Sequence, residues 1–345
     1  MNKLKIILLL APVLLLAQSC SYLTGGSAPV SGGVLKSNDT GENWDAVNKI
    51  SEESSLLGIS APDIMIDPTD NKVLYLTATG SGLFTSGNQA ESWNRILEGA
   101  DMATVKVNPR NNQEIFAAGR AGGIAKVFRS EDRGQTWVEV FSESRTNSFV
   151  SALAIVESSP NIIYIGLSTG EIIKSMNSGT SWNLAGVLRG RIIEIDLFSK
   201  SSVSVAALSL SDGLFRSDDG GSSWKDLSDA VRGSYFMDVE LVESNANAMY
   251  LATDKGLYRT GNLGQAWEKV DLPQNQSSET VTAVTLNQKN NNHVYAVVAQ
   301  TLYKSTDAGE SWQTRALSTN AFVRRLVIDE AEPNIIYAAL GTLLR

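Results

Sequence analysis

The sequence predicts an all-β fold, a seven-bladed β-propeller of four-stranded antiparallel blades, and three observations predict it. All seven tryptophans close the same eight-residue pattern, Ser-x-Asp-x-Gly-x-x-Trp, or a weaker copy of it. Successive tryptophans stand 49, 44, 45, 42, 43 and 45 residues apart, the spacing of a repeat built from one supersecondary unit. Between the patterns lie short runs rich in Val, Ile, Leu and Tyr, bounded by Gly, Asn, Asp and Ser. That is the grammar of strands and turns, with no sustained helical period after residue 30.

The full pattern reads Ser37-Asp39-Gly41-Trp44, Ser130-Asp132-Gly134-Trp137, Ser217-Asp219-Gly221-Trp224 and Ser305-Asp307-Gly309-Trp312. Weaker copies are Ser86-Asn88-Ala90-Trp93, Ser175-Asn177-Gly179-Trp182 and Thr260-Asn262-Gly264-Trp267. Each residue type has a turn-forming reason. Asp or Asn accepts bonds from amides of its own turn, Gly supplies positive φ, and Ser or Thr closes a side-chain-to-backbone turn. Trp wedges an apolar face against the hairpin and the next blade, and its indole N–H needs a partner. One carboxylate per copy is too few for a calcium cage. The weaker copies keep Trp while losing Asp or Gly, which suits packing better than ligation.

The blade frame is clearest between residues 236 and 270. Phe236–Val242 reads as a first strand, Ala248–Thr253 as a second, Gly256–Arg259 as a third and Trp267–Val270 as a fourth. The same frame predicts first strands beginning at Ile64, Thr104, Ala152, Ile192, Val281 and Arg325. Four short strands per repeat are those of a propeller blade. The chain enters with a third strand, Gly33–Lys36, and leaves with a first and a second, so the two ends share the last blade and no sheet edge stays open. Residues 341–345 (GTLLR) also resemble a third strand and compete for that place or pair beside it.

These turns resemble Asp-box repeats, also called bacterial neuraminidase repeats, over nearly all of residues 33–345. Within that superfamily the chain is similar to single-domain propellers of the photosystem II assembly factor type and to the sortilin ectodomain. The resemblance implies a non-catalytic binder of a protein or peptide. Sialidases share the repeat, and hold a carboxylate with an arginine triad whose first member lies in an Arg-Ile-Pro segment. That segment is absent here, and the blades number seven instead of six. Xyloglucan-cleaving endoglucanases also carry the repeat, but join two propellers and cut between them, whereas one propeller is read here. A polysaccharide-active hydrolase or lectin is the alternative reading, with a carbohydrate as its ligand.

The N-terminus predicts export. Lys3 and Lys5 precede an apolar run, Ile6 to Ala17, that is too short for an ordinary membrane span. Residues 1–19 read as a signal peptide. Cys20, the sole cysteine, follows Ala17-Gln18-Ser19 and resembles a lipoprotein lipidation site, although Ala17 stands where Leu is usual. Ordinary cleavage before Cys20 would leave a free thiol instead. Residues 20–32 are then a lipidated cysteine and Gly/Ser-rich tether, and the expected location is a bacterial envelope, anchored by lipid and facing the periplasm or exterior. A lone cysteine makes no internal disulfide. The net charge of −8 argues against general nucleic-acid binding.

For chemistry, Glu194, Asp238 and Glu240 lie on innermost strands as candidates for the paired carboxylates of a hydrolase; the competing expectation is that they line a wet channel and pair with Lys106 or Arg324. His293 has no His or Cys partner at ligand spacing, so neither a metal nor another cofactor is expected. Arg120, Arg145, Arg189, Arg191, Arg232, Arg324 and Arg325 fall in or beside the loops that join fourth to first and second to third strands. Propellers usually meet ligands on that face, and arginine suits carboxylates and protein interfaces. The expectation is an arginine-bearing face that docks an acidic partner. Glu52, Glu53, Glu98, Asp101, Glu143 and Asp229 share those loops, so scattered, paired charge is the competing expectation.

Overall fold

The computed structural model describes residues 31–198, 204–231, 233–273 and 279–342. The predicted signal peptide, Cys20 and most of the tether lie outside the described residues, as do Arg232 and residues 343–345. Seven sheets, each of four antiparallel strands, form the blades. Blade 1 runs outward from Ile64–Asp67 through Asp70–Ala78 and Gly82–Ser86 to Asn94–Leu97. Blades 2 to 6 start at Asp101–Val107, Val150–Ile155, Ile192–Leu197, Phe236–Leu241 and Val281–Leu286.

The closing blade joins the two ends of the chain. Its strands run outward from Phe322–Ile328 through Ile336–Gly341 and Gly33–Ser37 to Asp45–Ala46. Gly33–Ser37 pairs along its whole length with Ile336–Gly341, so the N-terminal segment takes the third place. Gly341 ends the second strand and does not begin a third. The predicted fourth strand Trp267–Val270 shortens to Glu268–Lys269, because the tryptophan leaves the sheet edge to pack between blades.

Burial follows position in the blade. Second strands such as Val205–Ser209 and Val294–Val298 are buried at every residue, whereas the fourth strand Asn183–Val187 is exposed or half-buried throughout. The apolar residues gather in seven clusters. Each cluster joins facing sheets of two neighbouring blades and receives one of the seven tryptophans, which is how sheets hide their faces. One cluster unites Ile64 and Leu74 of blade 1 with Tyr337 and Ala339 of the closing blade.

The box turns satisfy themselves. In the first, the Ser37 hydroxyl donates to Asp39 Oδ1 at 2.8 Å and accepts the Gly41 N–H at 2.9 Å. Asp39 in turn accepts the Asn43 N–H at 2.9 Å. Asn replaces Asp without loss of this geometry, since Asn177 Oδ1 accepts the Ser181 N–H at 2.8 Å. The residue before each tryptophan also takes part, a signal the eight-residue pattern left blank. Thr136, Ser223 and Ser311 each donate a hydroxyl to the second oxygen of their box aspartate. That bond is the largest reason Asp132, Asp219 and Asp307 are held down at about 2.

Five indoles bridge blades. Trp93, Trp137, Trp182, Trp224 and Trp267 donate Nε1–H to carbonyls of Val47, Ile96, Val140, Ala185 and Leu227 in or beside the fourth strand of the preceding blade. The contact therefore runs backward along the chain, not to the next blade. Trp44 and Trp312 donate within their own boxes, to Gly41 and Gly309. A basic residue before the box serine clasps the following blade: Lys36 donates to Gln89 O, Lys174 to Gly220 O and Arg259 to Ala308 O.

Candidate functional site: the central channel and its mouth

First strands start on the face opposite the boxes, because three antiparallel strands separate that face from the third-to-fourth turn. A register shift interrupts the pairing near the start of the first strand in blades 2 to 7. The shift re-aims the side chains that follow. Asp63, Thr104, Glu194, Asp238 and Arg325 line one cavity of about 290 Å³ at the axis, with Lys106, Asp196 and Glu240 nearer the box end.

The carboxylates fasten blades together. The inner edge of a first strand has N–H groups with no strand to pair with, and the preceding blade supplies acceptors. Glu194 Oε2 accepts the Val239 N–H at 3.2 Å, and Asp238 Oδ2 accepts the Val284 N–H at 2.9 Å. Asp63 Oδ2 accepts the Thr104 hydroxyl at 2.9 Å. Arg325 reaches across the channel from the closing blade, with Nη1 2.5 Å from Glu194 and 3.1 Å from Asp238.

This corrects the expected pairing. Glu194 and Asp238 pair with Arg325, not with Lys106 or Arg324, and Glu240 accepts Gln288 Nε2 at 2.9 Å. A cation that spans two carboxylates must come from across the ring, and linear order does not reveal which one does. Burial, then the charge of Glu194, pushes Asp238 well above the usual carboxylate range. Burial does the same to Glu240, and with Glu194 it raises Asp196 to about 6. The charge of Glu194 holds Arg325 protonated.

The predicted arginine face divides. Arg120 pairs with Asp101 at 2.8 Å, and Arg145 pairs with Glu143 and Glu171 at 3.1 and 2.6 Å. These follow the expectation of paired loop charge. Arg189 lies apart, in a groove with Asp212, Phe215 and Trp224. Arg191, Arg324 and Arg325 converge on the channel. Arg191 lies over the Phe149 ring at 4.7 Å, and its enclosed Nε has no hydrogen-bond partner among the described residues. Arg324 occupies the register shift itself. Burial lowers both guanidinium groups to about 10, and the charge of Arg191 adds to the shift at Arg324.

The comparisons agree with the fold. The Sortilin-Vps10 family profile, described as sortilin, neurotensin receptor 3, matches residues 212–339, well under half of the chain. A xyloglucanase from Paenibacillus sp is 23% identical over 241 residues, covering 56% of this chain and 23% of that protein. Xyloglucanase Xgh74A from Acetivibrio thermocellus is 26% identical over 138 residues, 32% of this chain and 16% of that protein. The chain thus spans less than a quarter of either relative. Among solved structures, the GH74 xyloglucanase from Xanthomonas campestris aligns with TM-score 0.69 at 17% identity, over 82% of this chain and 51% of that one. YCF48 from Cyanidioschyzon merolae aligns with TM-score 0.62 at 15% identity, over 81% and 95%. YCF48 bound to D1 peptide aligns with TM-score 0.64 at 13% identity, over 81% and 93%. What these alignments share is the fold.

Proposed function

We propose that this protein is a binding scaffold whose channel-mouth face docks an acidic protein or peptide, carried on a lipidated Cys20 at a bacterial envelope. The observation that carries the reading is the contrast between Arg191 and Arg324 at the mouth and the box rim opposite. The two arginines have no ion pair or hydrogen bond from their side chains among the described residues. The box aspartates have their acceptors filled. A propeller of similar shape, YCF48, has been solved with a D1 peptide bound, which supports a peptide-docking use of the ring.

A second reading has its own observation. Burial raises Asp196 to about 6 and pushes Glu240 well above the usual carboxylate range, the direction a general acid in glycoside cleavage requires, and both line the one channel cavity; xyloglucanases are among the relatives. One experiment separates the two. The tethered protein is used as bait on cross-linked host cells, beside its Arg191→Gln/Arg324→Gln variant, and both are incubated with xyloglucan. A protein partner lost in the variant, without sugar release, supports docking. Sugar release abolished by Asp196→Asn or Glu240→Gln sinks docking in favour of hydrolysis. Labelling with a fatty acid that fails in Cys20→Ser tests the anchor.

A further inference from the structure

We infer that Arg191 and Arg324 form an oxyanion seat at the mouth of the channel, and that its ligand is a singly charged carboxylate. This rests on the docking reading for which face meets the ligand, and it names the group that enters.

Three features of the mouth lead to this assignment. The two guanidinium groups come from blades 4 and 7 and line one cavity, and neither makes an ion pair among the described residues, Asp238 and Asp63 acting on Arg324 only from a distance. The carboxylates one step deeper are engaged: Arg325 holds Glu194 and Asp238, and Asp63 accepts Thr104. Two enclosed like charges without a partner are costly, and the wall does not need them. In other blades the register-shift position of Arg324 is filled by Ala103, Ser151, Ile193, Met237 or Thr282, none of them charged.

Both arginines are also held in place. The Phe149 ring backs Arg191, and its enclosed Nε has no hydrogen-bond partner among the described residues. Gly341 makes room for Arg324, since a methyl there would lie 3.0 Å from Arg324 Cγ and 2.6 Å from Ser60 Oγ. Guanidinium forks bind carboxylates and phosphates alike. The deeper row decides between them, because Asp63 and Glu194 in the same cavity would repel a dianionic phosphate more than a monoanionic carboxylate. A cavity of about 290 Å³ admits a small acid or one acidic side chain, not a folded loop.

The test titrates the full-length protein with acetate, phosphate and chloride at matched ionic strength, following melting temperature and heat of binding. Acetate is expected to bind in the millimolar range and raise the melting temperature. Phosphate should do so less and chloride not at all. Arg191→Gln and Arg324→Gln should each weaken acetate about tenfold, while the unliganded variants melt no lower than the parent because a like-charge repulsion is gone. No acetate response in the parent, an equal response in the double variant, or a stronger response to phosphate overturns the seat. So does a drop in unliganded melting temperature in both variants, which marks the arginines as structural. The docking reading fails separately: acetate binding without any captured protein leaves the seat standing, and partner capture without acetate binding does the reverse.

Discussion

The box rim and the channel are the two ends of the same blades, and they solve opposite problems. At the rim, every turn closes on itself with the same few bonds, seven times over. Substituting Asn for Asp leaves the geometry intact, as at Asn88 and Asn177. In the channel no two blades present the same set of side chains. Glu194, Asp238 and Arg325 are satisfied chiefly by one another and by neighbouring blades. A repeated local motif tolerates variation because each copy is independent. A single cross-ring network does not, because each member is the partner of several others.

The largest test of that contrast is Arg325→Met. It leaves two enclosed carboxylates without their cation, and breaking such a pair costs about 3 kcal/mol. Chemical denaturation should show that loss, and adding Glu194→Gln with Asp238→Asn should recover much of it. If the single variant is as stable as the parent, the network does not hold the ring.

Smaller effects are expected at the rim. Trp182→Phe removes the Nε1–H bond to Val140 O in the preceding blade, where a lost hydrogen bond costs about 1 kcal/mol. Trp312→Phe removes only a bond inside its own box. The first should lower the melting temperature more than the second. Equal effects would mean that the bridging bond adds nothing beyond ring packing.

The two regions also respond to pH with opposite sign. Asp132, Asp219 and Asp307 fall from 3.8 to about 2 on folding. Their contribution is complete above the unfolded value and is lost as pH falls toward 2. Asp196 rises from 3.8 to about 6, so its contribution is complete below the unfolded value and is lost as pH rises through 6. A melting-temperature profile should keep its acid limb in Asp196→Asn but show a shallower decline between about pH 4 and 6, the remainder coming from Asp238 and Glu240, which burial also raises. An unchanged profile would show that Asp196 titrates normally.

Much of the architecture was legible in the residues. The tryptophan period gave seven blades, and the incomplete ends gave the shared closing blade. Ile192–Leu197 and Val281–Leu286 lie where alternation and turn residues place them. The role of Thr136, Ser223 and Ser311 was readable in principle, since a hydroxyl recurs before tryptophan, but the eye stops at the larger residues. The arginine face was legible as composition and not as geometry. Arg120 and Arg145 meet carboxylates on adjacent strands and loops, while Arg191 and Arg324 make no ion pair among the described residues.

The sequence by itself determined what repeats: the strand order of a blade, the box turns and the closing of the ring. The blade and its turns follow from contacts between residues near one another in the chain, so their pattern recurs and is readable; the closing pair spans nearly the whole chain, and only the repeat phase left at each end reveals it. Only the tertiary structure decided which charges meet at the axis. Arg325 stands 131 positions from Glu194 and 87 from Asp238, and the register shift in each first strand selects which side chain faces inward. Pairing across a ring depends on closure and on the shift together, and neither leaves a local trace in the order of residues.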